Sequence, residues 1–167
     1  RKTGRAGQGA IRSRLMHDVP AKVRMQSLLT LQAVPGRVAN PILEELLGDD
    51  SDDVRLVAFG MLEAKEKRLS VHIQEEQKNL EKSLSNRARY DCLRHLAELH
   101  WELTYAGLVQ GGLIAHNLNQ AWQYIEAALS MDENHECGVW FLKGRILLAQ
   151  GAMEPARQAL ETAMQMG

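Results

Sequence analysis

An all-α fold built from helical hairpins follows from three observations on the sequence. From Val54 to Leu84 the residues Val54, Val57, Ala58, Met61, Leu62, Leu69, Ile73, Leu80 and Leu84 recur at steps of three, four and seven, the period of one buried face on a long helix. Near the C-terminus, Trp140, Gly144 and Leu147 on one side of Gly151, and Ala156, Leu160 and Ala163 on the other, have the spacing of two antiparallel helices joined by a tight turn. No segment shows the strict apolar–polar alternation of a half-buried strand.

Taken in order, residues 1–19 carry Gly4, Gly7 and Gly9 among charges without a period, which predicts a flexible linker. Pro20 to Val34 is moderately apolar, closed by Pro35-Gly36, and its period fits helix or extended chain equally. Asn40-Pro41 reads as a helix start, with Asn as cap and Pro at the first helical position, and that short helix ends at Gly48. The long helix beginning near Val54 breaks around Ser85-Asn86, and a second long helix runs through Tyr90, Leu93, Leu96 and Trp101 to a stop at Gly111-Gly112. These two long helices can pair antiparallel. Asn117 to Asn119 is expected to cap a helix over 120–131; Glu136 to Gln150 form the next, and Glu154-Pro155 starts the last.

Charge is unevenly spread along the chain. Residues 1–37 hold eight Lys and Arg against Asp18 alone, whereas the remainder is acidic, and the two nearly cancel to a net −1. A basic arm of this kind is a solvated tail, a surface drawn to anionic lipid, or a nucleic-acid contact; with no aromatic residue to stack on a base, the last is the least favoured. Arg1, Lys2, Arg5, Arg12 and Arg14 are the candidate lipid-facing residues. No stretch is long and apolar enough to span a bilayer, and a chain opening on Arg1 instead of Met is expected to be part of a longer protein. Cys92 and Cys137, widely spaced and without a CxxC motif, are expected to be free thiols in a reducing compartment.

The C-terminal spacing resembles the tetratricopeptide repeat. With Gly151 at the inter-helix turn, Trp140 takes the large aromatic position, Gly144 the close-approach glycine, Leu147 the next core position, and Ala156, Leu160 and Ala163 the second helix. Lys143 replaces the usual Leu, and Glu133 replaces the proline that commonly ends the preceding repeat. One repeat upstream, Ala121, Ile125 and Ala128 fit the second-helix positions, although the loop joining them to the helix around Trp101 is too long. The resemblance is to a degenerate repeat followed by a regular one. Leu43-Glu44-Glu45-Leu46-Leu47, the acidic turn and Asp53-Val54-Arg55 similarly resemble one HEAT-type helix pair. The expected organisation is therefore a basic linker or juxtamembrane segment over 1–39, a HEAT-like pair with a long second helix over 40–85, and tetratricopeptide-type repeats over 86–167.

Asn40-Pro41-Ile42-Leu43, the stretch from Asp52 to Gly60, Glu66-Lys67 and the stretches from Trp101 to Leu103 and from Gly107 to Gly111 together resemble the PelE family of accessory subunits in bacterial Pel exopolysaccharide biosynthesis. That resemblance implies a cytoplasmic helical-repeat domain of an inner-membrane-anchored protein. It also implies protein partners, namely a cyclic-di-GMP receptor subunit and the glycosyltransferase of the same complex, and it would place the basic arm just after a membrane segment.

Candidate catalytic groups fail on spacing. His95 and His100 fall on different helix faces, and His135-Glu136-Cys137 is contiguous, so its side chains diverge. Asp49, Asp50, Asp52 and Asp53 lack the glycine and distal glutamate of a calcium loop and suit the start of a helix. Gly4, Gly7 and Gly9 neither follow a strand nor lead into a phosphate-binding GK[ST]. The expectation is a non-catalytic scaffold without metal or cofactor; the alternative is a generic soluble helical-repeat adaptor with no membrane role. In a tetratricopeptide pair the first helix of each hairpin lines the concave face, which places Phe141, Arg145 and Leu148 in a partner-binding groove suited to a peptide with an acidic residue. Phe141 stands where a chaperone-tail reader has a polar side chain, which argues against a carboxylate clamp. Met164 and Met166 on the last helix are expected either to be covered or, for Met164, to pack inward.

Overall fold

The structure is a computed structural model that describes residues 19–131 and 136–167. Among these residues there are seven α-helices and no strand: α1 (Ala21–Thr30), α2 (Gly36–Leu46), α3 (Asp52–Lys82), α4 (Asn86–Tyr105), α5 (Gly112–Leu129), α6 (Cys137–Ala149) and α7 (Met153–Met166). A 3-10 turn, Leu31–Ala33, follows α1, so the ambiguous segment after Pro20 is helical. Two compact units divide the chain: residues to Glu66 together with Ala106–Leu108 in the first, Lys67–Tyr105 and Val109–Gly167 in the second.

The first unit is organised by apolar faces of α1, α2 and the start of α3. Leu28, Leu31, Ile42, Leu43, Leu46 and Val54 form its core, with Ala39, Ala58 and Met61. Two buried polar groups tie these helices together. Arg24 donates from Nε and Nη2 to the two carboxylate oxygens of Asp49 at 3.0 and 2.9 Å, and Asp49 also accepts from the Ser51 amide at 2.9 Å. A fork-to-fork pair of this kind satisfies both ions where water is excluded. Asp49 is thus a core ion partner and not only one of a row of capping carboxylates.

Asn40 does not start a helix. Pro35 precedes the first turn of α2, and Asn40 lies inside it, where Nδ2 donates to the Ala106 carbonyl at 2.7 Å and Oδ1 accepts from Lys65 Nζ at 2.8 Å. Those partners lie far along the chain, so the side chain that suits a cap is used in the core instead. Pro41, the sixth residue of α2, then removes the helical hydrogen bond that would reach the Arg37 carbonyl.

The second unit is a succession of helical hairpins. α4 packs most closely on α5, α6 on α7, and α5 on α6. The end of α3 meets α4 through side chains, with His95 against Glu76, so close packing falls on the later hairpins and not on the two long helices. Ser85 accepts from the Ala88 amide at 3.1 Å, a side-chain cap that starts α4 at the expected break. α4 ends at Tyr105 with the turn at Ala106-Gly107, before the glycine pair expected to stop it, and α5 begins at Gly112. Asn117 is accordingly inside α5, where Nδ2 bonds the Leu113 carbonyl at 2.9 Å. It was expected to cap; its bonds to that carbonyl and to His100 occupy it within the helix. The residues that made the α4–α5 connection too long for a regular repeat include Ala106–Leu108, which belong to the first unit.

Between α6 and α7 the chain turns through Gly151 at φ 81°. The Gly151 amide bonds the Leu148 carbonyl at 3.0 Å and the Ala152 amide bonds the Leu147 carbonyl at 2.9 Å, the paired closure that needs a left-handed residue between them. Past that turn the helices approach so closely that a Cβ on Gly144 would lie 2.6 Å from Leu160 Cγ. Gly60, mid-α3, has open space instead. Replacing Gly144 with Ala is therefore expected to lower stability by about 1–3 kcal/mol through overpacking, despite the better helix propensity. Gly60→Ala should raise stability by up to about 1 kcal/mol. Urea unfolding followed by circular dichroism compares the two, and equal shifts in the same direction would contradict the close approach.

Candidate functional site

Phe141, Arg145 and Leu148 occur at i, i+4 and i+7 on α6, so they share one face. Phe141 is 53% and Leu148 44% exposed. Arg145 is not alone there: its guanidinium carbon lies 4.7 Å from the Tyr105 ring centroid, 5.0 Å from Trp101 and 5.8 Å from Phe141. Trp101 and Tyr105, one turn apart on α4, stack with centroids 5.6 Å apart and ring planes 18° from parallel. The cation thus rests against aromatic residues of two helices, and no carboxylate among the described residues forms an ion pair with it. Trp101 and Tyr105 were not foreseen as part of this surface. The signal was an aromatic pair at i, i+4 near a helix end, which resembles any apolar periodic position.

Two residues before Arg145, Lys143 has a different fate. Its ammonium lies 5.2 Å from the Trp122 ring centroid and 5.1 Å from Trp140, and it pairs with Glu126 at 2.8 Å. Lys143, Trp122 and Trp140, with Leu147, Pro155 and Gln158, line a cavity of about 240 Å³. The unusual Lys at this position covers aromatic faces and is already neutralised. Of the other repeat positions, Gly144, Leu147, Ala156 and Ala163 are buried, while Trp140 and Leu160 are half-buried at the rim. Met164 points outward at 79% exposure, and Met166 is exposed as well.

Arg1, Lys2, Arg5, Arg12 and Arg14 lie outside the described residues. Farther along the basic segment, Lys22 is exposed but Arg24 is buried against Asp49, so Arg24 is not available to a lipid surface. No helix among the described residues is long and apolar enough to cross a membrane.

His95, His100 and Cys92 have local partners. His95 Nδ1 meets Glu76 Oε2 at 2.8 Å. Burial by itself would raise the Glu76 carboxyl, but hydrogen bonds from Cys92, His95 and Asn79 outweigh it and hold Glu76 below the usual carboxylate range. Burial, then the hydrogen bond and charge of Glu76, push the Cys92 thiol up to about 11. It is therefore a protonated donor and a poor nucleophile. His100 is buried; its Nδ1 donates to Asn117 Oδ1 at 2.8 Å, the tautomer being set because Asn117 Nδ2 is committed to Leu113. Its ring stacks on Tyr124, and burial holds its pKa below the ordinary value. Glu136 and Cys137 open α6 with Cys137 exposed, while His135 lies outside the described residues. Among the described residues no group of three or more His, Cys, Asp and Glu is placed to hold a metal ion.

Comparison with protein-family models, with curated proteins and with solved structures finds no match for this chain.

Two outcomes follow from these environments. A thiol reagent at mildly alkaline pH should titrate Cys137 rapidly and Cys92 only after unfolding; two equally fast thiols would contradict the buried Cys92–Glu76 contact. Because folding lowers the His100 pKa, the folded chain binds that proton less readily than the unfolded one. Its contribution is complete above about pH 6.5, the unfolded value, and declines as pH falls below it until the folded ring is also protonated. Denaturant midpoints across this window should show the decline in the wild type and a shallower one in His100→Gln.

Proposed function

We propose that this chain is a non-catalytic protein–protein interaction scaffold whose second unit is a pair of tetratricopeptide-like hairpins, α4–α5 and α6–α7, preceded by a HEAT-like pair, α2–α3. The observation that carries this is the Gly144 approach, where the missing Cβ lets α6 and α7 close against Leu160, together with the glycine turn at Gly151. In such an arrangement the first helices of successive hairpins face a common groove. α4 and α6 hold that position, and their shared aromatic and cationic surface supports a protein-binding role.

The resemblance to PelE extends the proposal. On it, this is the cytoplasmic domain of an inner-membrane-anchored bacterial protein that holds a cyclic-di-GMP receptor subunit and a glycosyltransferase together for Pel exopolysaccharide synthesis and secretion. The basic segment would lie near the anionic membrane surface.

Co-expression with the Pel cyclic-di-GMP receptor subunit, membrane region included, tests this directly. Wild type should co-purify, and Phe141→Ala combined with Arg145→Glu should reduce recovery at least tenfold without loss of helicity. A folded wild-type chain that recovers neither the receptor subunit nor the glycosyltransferase would overturn the Pel assignment and leave the generic adaptor.

A further inference from the structure

Along α6 the exposed face reads apolar, cationic, apolar: Phe141, Arg145, Leu148. At 1.5 Å rise per residue these span roughly 10 Å, about two helical turns. The central charge is held in an uncommon way. Rings of Trp101, Tyr105 and Phe141 lie 4.7–5.8 Å from the guanidinium carbon, which restricts where the group can go before any partner arrives. A guanidinium carries five N–H donors, and none of those of Arg145 is used by an ion pair among the described residues. Stacking on aromatic faces leaves its edge free to donate, and a pre-oriented fork loses less entropy on binding a planar anion.

We infer that Arg145 is the hook for one internal Asp or Glu side chain of a partner helix, flanked on that helix by apolar residues about one turn to either side that cover Phe141 and Leu148. The inference rests on the scaffold reading and names the chemistry of the partner at that face.

Three features select this occupant. The count of charges favours a carboxylate over a phosphate dianion: Lys143, the nearest cation on α6, is already paired with Glu126, leaving one positive charge for one negative. The position of the charge favours an internal acid, since a chain ending at Arg145 would leave one of the two flanking apolar side chains uncovered. The surface itself favours a helix. It is made of helix sides, which offer no row of free backbone groups, so an extended segment laid on it would find no ladder partners, whereas a helix satisfies its own amides.

The test is selection from a displayed library of amphipathic helices of about 18 residues, randomised on one face, against the whole chain. The wild type should enrich Asp or Glu at one central position with apolar residues three or four positions away on each side. Arg145→Glu should enrich Lys or Arg there. A synthetic copy of the leading peptide, C-terminally amidated, should bind in fluorescence anisotropy, and bind at least tenfold more weakly to Arg145→Gln, a variant that removes the charge without introducing repulsion. Versions with the acid replaced by phosphoserine, or moved to a free C-terminal carboxylate, should bind more weakly than the original.

Tighter binding of either of those versions, an unchanged consensus in Arg145→Glu, or enrichment without a central acid would overturn the inference. So would no enrichment at all; if the chain nevertheless co-purifies with its Pel partners, the scaffold reading stands without this recognition rule, and if it does not, both fall. Sedimentation of the chain alone covers the remaining occupant: concentration-dependent self-association abolished by Arg145→Gln would assign the groove to a second copy of the protein and not to a partner helix.

Discussion

Helices in the second unit are held together by seams of very small side chains, and where those seams lie dictates where everything larger must go. Ala97 of α4 faces Ala121, Ile125 and Ala128 of α5 in one core, while Leu147 of α6 packs with Ala156 and Ala159 of α7 in another. Gly144 brings the second pair to the limit set by Leu160. Close backbones leave little volume for an indole between them, and although the Tyr90 ring is fully buried in the first of these cores, the three tryptophans lie toward the edges of the hairpins. Trp101, Trp122 and Trp140 are accordingly half-buried, and long cationic side chains lie across their faces. The aromatic–cation surface is therefore a consequence of how tightly the hairpins close.

What could be read in the sequence is what depends on near neighbours. The period from Val54 onward marks a helix that the structure shows as Asp52–Lys82, although Leu84, the last residue of that period, lies past its end and is fully exposed, and Ser85 caps the next one at the expected break. Gly151 could be recognised because a left-handed residue is almost obligatory at such a turn. The same local logic placed Phe141, Arg145 and Leu148 on one face of one helix. It could not bring Trp101 and Tyr105 to them, because which faces meet depends on packing between residues about forty positions apart.

The cap signals at Asn40 and Asn117 show why local logic fails at polar residues. Asparagine is favoured at a helix start because its carbonyl and amide compete with the backbone for hydrogen bonds, and the same short side chain, buried, can satisfy two partners at once. Asn40 bridges Ala106 and Lys65; Asn117 bridges Leu113 and His100. In each case one side of the bridge lies well away in sequence. Arg24 follows the same rule. It stands in a run of basic residues and reads as part of a charged arm, yet the bidentate bond to Asp49 removes its charge from the surface. Either partner alone would be a costly buried ion, so the pair has meaning only in three dimensions.

Lys143 and Arg145 make the same point for function. Two residues apart on one helix, both are cations resting on aromatic rings, and nothing in the order of residues separates them. Lys143 is a compact ammonium that can point at Glu126 while lying over the Trp122 and Trp140 rings, and once paired it contributes to packing between hairpins. Arg145 is planar. It can lie flat against Tyr105 and Trp101 and still turn a donor edge outward, without an acid beside it to take up that capacity. The difference between a charge that closes the fold and a charge held ready for a partner is thus set by a single neighbour: Glu126 is within reach of one and not paired with the other.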